Sequence, residues 1–160
     1  MRLYPFFKTP VVCPRHTQAA ELNEQALFEA AHKAYTRVLA DMEATKGPRH
    51  PFTARAVNGL AAALVGLGQF GAALPLNERA VAVYAAVAQA VPQAASPAQP
   101  SGNQPLADLA DAQNNLGVTL YKLGRGPEAQ AHYESALAGY TAVFGAKHPM
   151  VSINKPLPAE

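Results

Sequence analysis

Residues 111–126 read DAQNNLGVTLYKLGRG, and residues 55–70 read RAVNGLAAALVGLGQF. The two stretches align without a gap. Val57, Leu60, Ala61 and Leu64 recur at helical spacing in one, and Leu116, Gly117, Leu120 and Leu123 do so in the other. That spacing marks the apolar face of a helix rather than the alternation of a strand. Gly68 and Gly124 then fall at the same place, where the helix stops and the chain reverses, because glycine takes left-handed backbone angles at little cost. The glycines of VGLGQFGAA (65–73) also have the G-x-G-x-x-G spacing of a dinucleotide site. Such a site needs a strand before it and a βαβ unit around it. Here an amphipathic helix precedes it, so these glycines punctuate a turn.

What surrounds these helices is repeated as well. The stretches AHKAYTRVLADMEATKGPRHP (31–51), ALPLNERAVAVYAAVAQ (73–89) and AQAHYESALAGYTAVFGAKHP (129–149) line up. Ala31, Ala73 and Ala129 correspond, and Tyr35, Asn77 and Tyr133 keep the same offsets. His50-Pro51 and His148-Pro149 lie 98 residues apart, which is twice a 42-residue period with a 14-residue insertion. The repeating unit is a helix A, a Gly-containing turn, a helix B and a Gly/Pro connection. Before the first helix B, TQAAELNEQALFEAA (17–31) supplies a shortened helix A; it keeps Leu22 and Phe28 but has Gln18 where the other units have leucine. The expected fold is all-α: an α-α superhelix of about three antiparallel helix pairs, the first degenerate. The units span 17–51, 52–90 and 108–149 within a repeat domain over 17–152. Residues 1–16 read as a disordered or degenerate leader, 91–107 as a Pro/Ala-rich insertion and 153–160 as a disordered tail.

The pattern resembles the tetratricopeptide repeat. Asn115-Leu116-Gly117, Gly124, Ala129, Tyr133 and Ala136 carry the resemblance in the last unit, and Leu60-Ala61, Gly68, Phe70, Ala73 and Ala80 carry it in the middle one. The 42-residue period, with helix B ending in KGPRHP or FGAKHP, is similar to the kinesin light chain type of repeat. Two departures stand out: Asn77 replaces an aromatic at the position of Tyr133, and Gly126 replaces one at that of Phe70. Both are expected to weaken packing locally. Ala73, Ala80, Ala129 and Ala136 lie on one face of helix B, where small side chains let helix A approach closely. Tyr133, Leu137 and Tyr140 are expected to supply the larger contacts.

The resemblance implies a non-catalytic interaction module, a scaffold that holds a peptide or helix in a concave wall lined by the A helices. On the repeat alignment the wall positions are Arg55 and Asn58 in the middle unit, and Asp111, Asn114, Asn115, Val118, Tyr121 and Lys122 in the last. Asparagine is a poor helix-interior residue, so three on one wall point to use. A side-chain amide offers donor and acceptor together, which suits an extended peptide backbone. Arg55 and Lys122 would add a preference for acidic ligands. Gly59, in the slot equivalent to Asn115, argues against a carboxylate-clamp form of the groove.

Composition excludes other classes. The formal charge is +2 and the basic residues are scattered, which leaves no footprint for nucleic acid. No apolar run approaches the ~18–20 residues that span a bilayer. Cys13 is the only cysteine, so no intrachain disulfide can form and a cysteine-rich zinc site is excluded. A lone thiol fits a reducing compartment, and a cytoplasmic location is expected. In the basic first residues, Pro5, Pro10 and Pro14 would break a transit-peptide helix. The histidines form no ligand-spaced cluster and no nucleophile stands with a base. No cofactor, metal or small-molecule substrate is therefore expected. After His148-Pro149 a further helix A should begin, but Pro156 and Pro158 interrupt it. Uncapped ends suggest the alternative: a structural piece of a larger array, or of a multidomain signalling protein, that self-associates through them.

Overall fold

The computed structural model describes residues 14–90 and 104–145. Five helices follow one another: α1 (Pro14–Lys46), α2 (Pro51–Gly66), α3 (Phe70–Ala90), α4 (Gln104–Lys122) and α5 (Gly126–Phe144). Each packs on the next, and α2 also touches α4, so α2 and α4 sit side by side as the A helices of consecutive units. No strand occurs among the described residues.

The turns work as the glycine spacing implies. Gly68 and Gly124 have φ of +73° and +80°. Around them the Gln69 amide bonds the Leu64 carbonyl at 2.8 Å and the Arg125 amide bonds the Leu120 carbonyl at 2.9 Å, so the same closure ends α2 and α4. The His-Pro pair also has a local role. His50 caps α2 by accepting the Phe52 amide on Nδ1 at 3.2 Å, and Pro51 occupies the first turn, where no amide partner is needed. The equivalent His148-Pro149 lies outside the described residues, as does the expected tail over 153–160.

The first unit departs from expectation. The stretch read as a short helix A (17–31) does not turn back on helix B; both belong to α1, one helix of 33 residues. Repeat register supplies the reason. Ala26 stands where the other units have Gly68 and Gly124. Alanine is the best helix former, and a left-handed conformation costs it about 1–2 kcal/mol. The helix therefore runs through. Two boundaries move as well: Pro14–His16 of the expected leader lie in α1, and α4 begins at Gln104, inside the expected 91–107 insertion. The remainder of both segments lies outside the described residues.

The core is built from small residues at helix crossings. Ala73, Ala80, Ala129 and Ala136 are all fully buried, as the close-approach reading requires. Ala54, Val57, Ala80, Val83, Tyr84 and Ala112 join α2, α3 and α4 in one cluster, and Leu116, Leu120 and Ala129 join α4 to α5 in another. Tyr140 is buried against Ala110 and Ala136. Buried Thr53 ties α2 to the end of α1 through its hydroxyl, which donates to the Gly47 carbonyl at 2.7 Å. On the outer side the Arg79 guanidinium of α3 reaches Glu43 of α1 at 2.6 Å and the Pro48 carbonyl at 3.2 Å.

Asn77 is the sharpest departure from the repeat pattern, and it is fully buried. Position 77 of one unit faces position 115 of the next: the Asn77 amide approaches the Asn115 carbonyl at 3.5 Å. One unit earlier the equivalent partners are Tyr35 and Gly59, and the Tyr35 ring fills the space a β-carbon on Gly59 would need. The two pairs are complementary in size. A large ring faces glycine, and a short amide faces asparagine.

Candidate interaction face on α2 and α4

Along α4, Asp111, Asn114, Asn115, Val118, Tyr121 and Lys122 are exposed or half-buried, interleaved with buried Ala110, Ala112, Leu116, Gly117, Thr119 and Leu120. Their spacing draws one strip down the helix. On α2, Arg55 is exposed and Asn58 half-buried. The Asn115 Nδ2 donates to Asn58 Oδ1 at 3.0 Å and joins the two strips. With these atoms engaged, the pair still offers the Asn58 Nδ2 hydrogens as donors and Asn115 Oδ1 as acceptor. Donor and acceptor side by side match what one residue of an extended backbone presents.

A chain of hydrogen bonds holds Asn115 from behind. Asn77 Nδ2 of α3 donates to Thr119 Oγ1 at 2.8 Å, and Thr119 Oγ1 donates to the Asn115 carbonyl at 3.0 Å. The network Asn77–Thr119–Asn115–Asn58 therefore crosses three helices, α3, α4 and α2. Asn77 Oδ1 is buried within it without a partner.

The expected wall residues are not equivalent. Asp111 accepts the Tyr140 hydroxyl at 2.7 Å, a bond within the last helix pair. Burial, and then this carboxylate, push the Tyr140 phenol well above its ordinary range. Tyr84 is raised in the same direction, first by burial and then by Asp108, with Arg55 opposing and Asp111 adding to the rise. Arg55 and two carboxylates thus act on the same phenol. Lys122 is exposed and Tyr121 is 50% exposed, so the lower end of the strip carries an open aromatic beside a cation.

Residues 19–86 match one tetratricopeptide repeat model and residues 109–149 match another, which together cover most of the chain. The chain belongs to the tetratricopeptide repeat family. Among solved structures, this tetratricopeptide repeat protein is similar to a putative kinesin light chain of nearly identical repeats from Podospora anserina. That match has 19% identity and a TM-score of 0.37 over 88% of this chain and 80% of the other. No curated protein matches at a significant level.

Sequence reasoning missed one feature of this repeat protein. A cleft of about 580 Å³ opens on the opposite side, between Pro48, Arg49 and Arg79 and the α3 residues Ala82, Val83, Ala86, Val87 and Ala90. Ala82, Ala86 and Ala90 recur every four residues, a visible signal of a shallow helix face. That the preceding turn walls it off is a tertiary fact. Among the described residues no group of three or more His, Cys, Asp or Glu is placed to hold a metal ion, and no helix is long and apolar enough to cross a membrane.

Proposed function

We propose that this protein is a non-catalytic interaction module that holds an extended peptide or a partner helix on the α2/α4 face. Tetratricopeptide repeats generally mediate protein–protein interaction. The observation that carries the finer reading is the Asn58–Asn115 pair, held from behind by Thr119 and Asn77 while an amide donor and an amide acceptor remain unengaged. Val118 and Tyr121 give apolar area beside it, and Lys122 favours a ligand with an acid at that end. Asp111 also ties α4 to α5 through Tyr140. Cys13 as the lone thiol supports a reducing, cytoplasmic setting.

The test is selection of binders from a displayed library of random extended peptides, followed by titration of the best peptide. Asn115→Ala should weaken it by about 1 kcal/mol or more, roughly fivefold, as for one lost hydrogen bond. Asn58→Ala should act in the same direction. Unchanged affinity in both variants, with the helical circular dichroism signal intact, removes the amide pair from the site.

A further inference from the structure

The vacant side of α1 carries an inference independent of the α2/α4 face. In the middle and last units, the helix B positions that face the unit's own helix A are closed to solvent. Ala80 and Ala136 are 0% exposed, and Tyr84 and Tyr140 are 2% exposed. The same positions in the first unit are Val38 and Met42. Val38 is 44% exposed, Met42 is only half-buried, and Leu27 on the same helix is 62% exposed. The seat for a helix A exists on α1, and among the described residues no helix A of the first unit covers it. That segment, 17–31 by the repeat alignment, is held straight in α1 because Ala26 replaces the turn glycine. Phe28 lies over Gly66, the last residue of α2, and Glu24 and Gln25 border Gly66–Gly68. The helix from residue 14 to 23 therefore runs on past α2, roughly 15 Å at 1.5 Å per residue.

We propose that a second copy of this chain fills the seat, each α1 laying its first half against the Ala31–Met42 stretch of the other. The occupant follows from the repeat. The seat needs a helix A, the only helix A of that unit is residues 17–31, and a straight α1 cannot return it to its own chain. The last unit also supplies the register. There Tyr140 bonds Asp111, Gly139 lies against Ala110, and Tyr133 covers Gly117. Shifted back by the 98-residue offset, that antiparallel register brings the two copies of Leu27 together near a two-fold axis. The most exposed large apolar side chain described in the molecule would then be the centre of an isologous contact. Exchange of one element between identical chains, with a turn opened into continuous helix, is a domain swap.

Sedimentation equilibrium of the 160-residue chain tests this. The wild-type chain is expected to be a dimer. Val38→Glu should raise its dissociation constant at least tenfold. Ala26→Gly restores the residue that closes the other two turns, so helix A can fold back in cis; it should yield a monomer whose helical circular dichroism signal matches the wild type. Leu27→Cys, placed in a Cys13→Ser background, should give a disulfide-linked dimer under mild oxidation. A wild-type chain that stays monomeric as concentration rises would overturn the proposal. A dimer indifferent to both Ala26→Gly and Val38→Glu would do so as well, since its contact lies elsewhere. If Val38→Glu fails to fold, Ala26→Gly and the disulfide decide. Asn115→Ala should leave the dimer untouched and Val38→Glu should leave peptide capture untouched, so this proposal and the peptide face fail separately.

Discussion

Replacing Thr119 by valine should destabilise the protein far more in the native background than in one that lacks Asn77. Both residues are fully buried, and the Asn77 amide has one good partner, Thr119 Oγ1 at 2.8 Å; its contact with the Asn115 carbonyl is at the 3.5 Å limit. Asn77 Oδ1 has none. Thr119→Val keeps the shape of the side chain but strands the rest of a buried amide, at a cost of about 1–3 kcal/mol. For a chain of this size, 2 kcal/mol corresponds to a fall in Tm of roughly 4–8 °C. Asn77→Leu acts differently: it removes the unpaired oxygen together with the donor and leaves Thr119 bonded to the Asn115 carbonyl. It should be neutral or stabilising by up to about 1 kcal/mol, because it removes both polar atoms of a poorly satisfied buried amide and leaves no donor stranded. Thr119→Val on top of Asn77→Leu should then cost well under about 1 kcal/mol, giving a coupling energy of about 1–2 kcal/mol. The assay is thermal and urea unfolding of the four proteins, followed by circular dichroism. An equal cost of Thr119→Val in both backgrounds would show that the hydrogen bond does not connect the helices energetically.

Three further outcomes follow from single contacts. Gly124→Ala forces a β-carbon onto φ of +80° at the α4–α5 turn and should cost about 1 kcal/mol or somewhat more, read as a lower urea midpoint. Gly117→Ala sets a β-carbon 2.8 Å from the Tyr133 ring, so the ring must shift and stability should drop by about 1–3 kcal/mol; an unchanged Tm would mean that the ring moves freely. Tyr84 and Tyr140 hold their protons more tightly when folded than the ordinary phenol near pH 10. Their contribution is complete below that pH and is lost as pH rises through the folded values, so stability should decline above about pH 10. Ultraviolet titration should show two rings ionising well above the ordinary phenol range, and Tyr140→Phe should cost about 1 kcal/mol at neutral pH for the bond to Asp111.

The break at Ala26 shows how far local reading extends. The alignment that identified the glycine turns also places alanine at the third turn position, so the straight α1 was encoded at a single residue. Apolar spacing in TQAAELNEQALFEAA was satisfied equally by a short separate helix and by the start of a long one. The wall residues divide in a similar way. Periodicity put Asp111 and Asn115 on one strip because 3.6 residues per turn requires it. Which neighbours engage them depended on α5 and α2, which lie 29 and 57 residues away in sequence.

What the sequence determined by itself is everything set by nearest neighbours and repetition: an all-α chain, the helix pairs of the middle and last units, the ends of α2 and α4 at left-handed glycines, and the alanines that let helix pairs approach. These depend on backbone angles, periodicity and side-chain size, which a residue carries with it wherever the chain goes. Only the tertiary structure decided that Asn77 is bonded through Thr119 to the Asn58–Asn115 pair, that Tyr35 faces Gly59, and that no described helix A covers the seat on α1. Each of these depends on which surfaces meet, and a hydrogen bond or a vacancy exists only between elements that packing has already brought together.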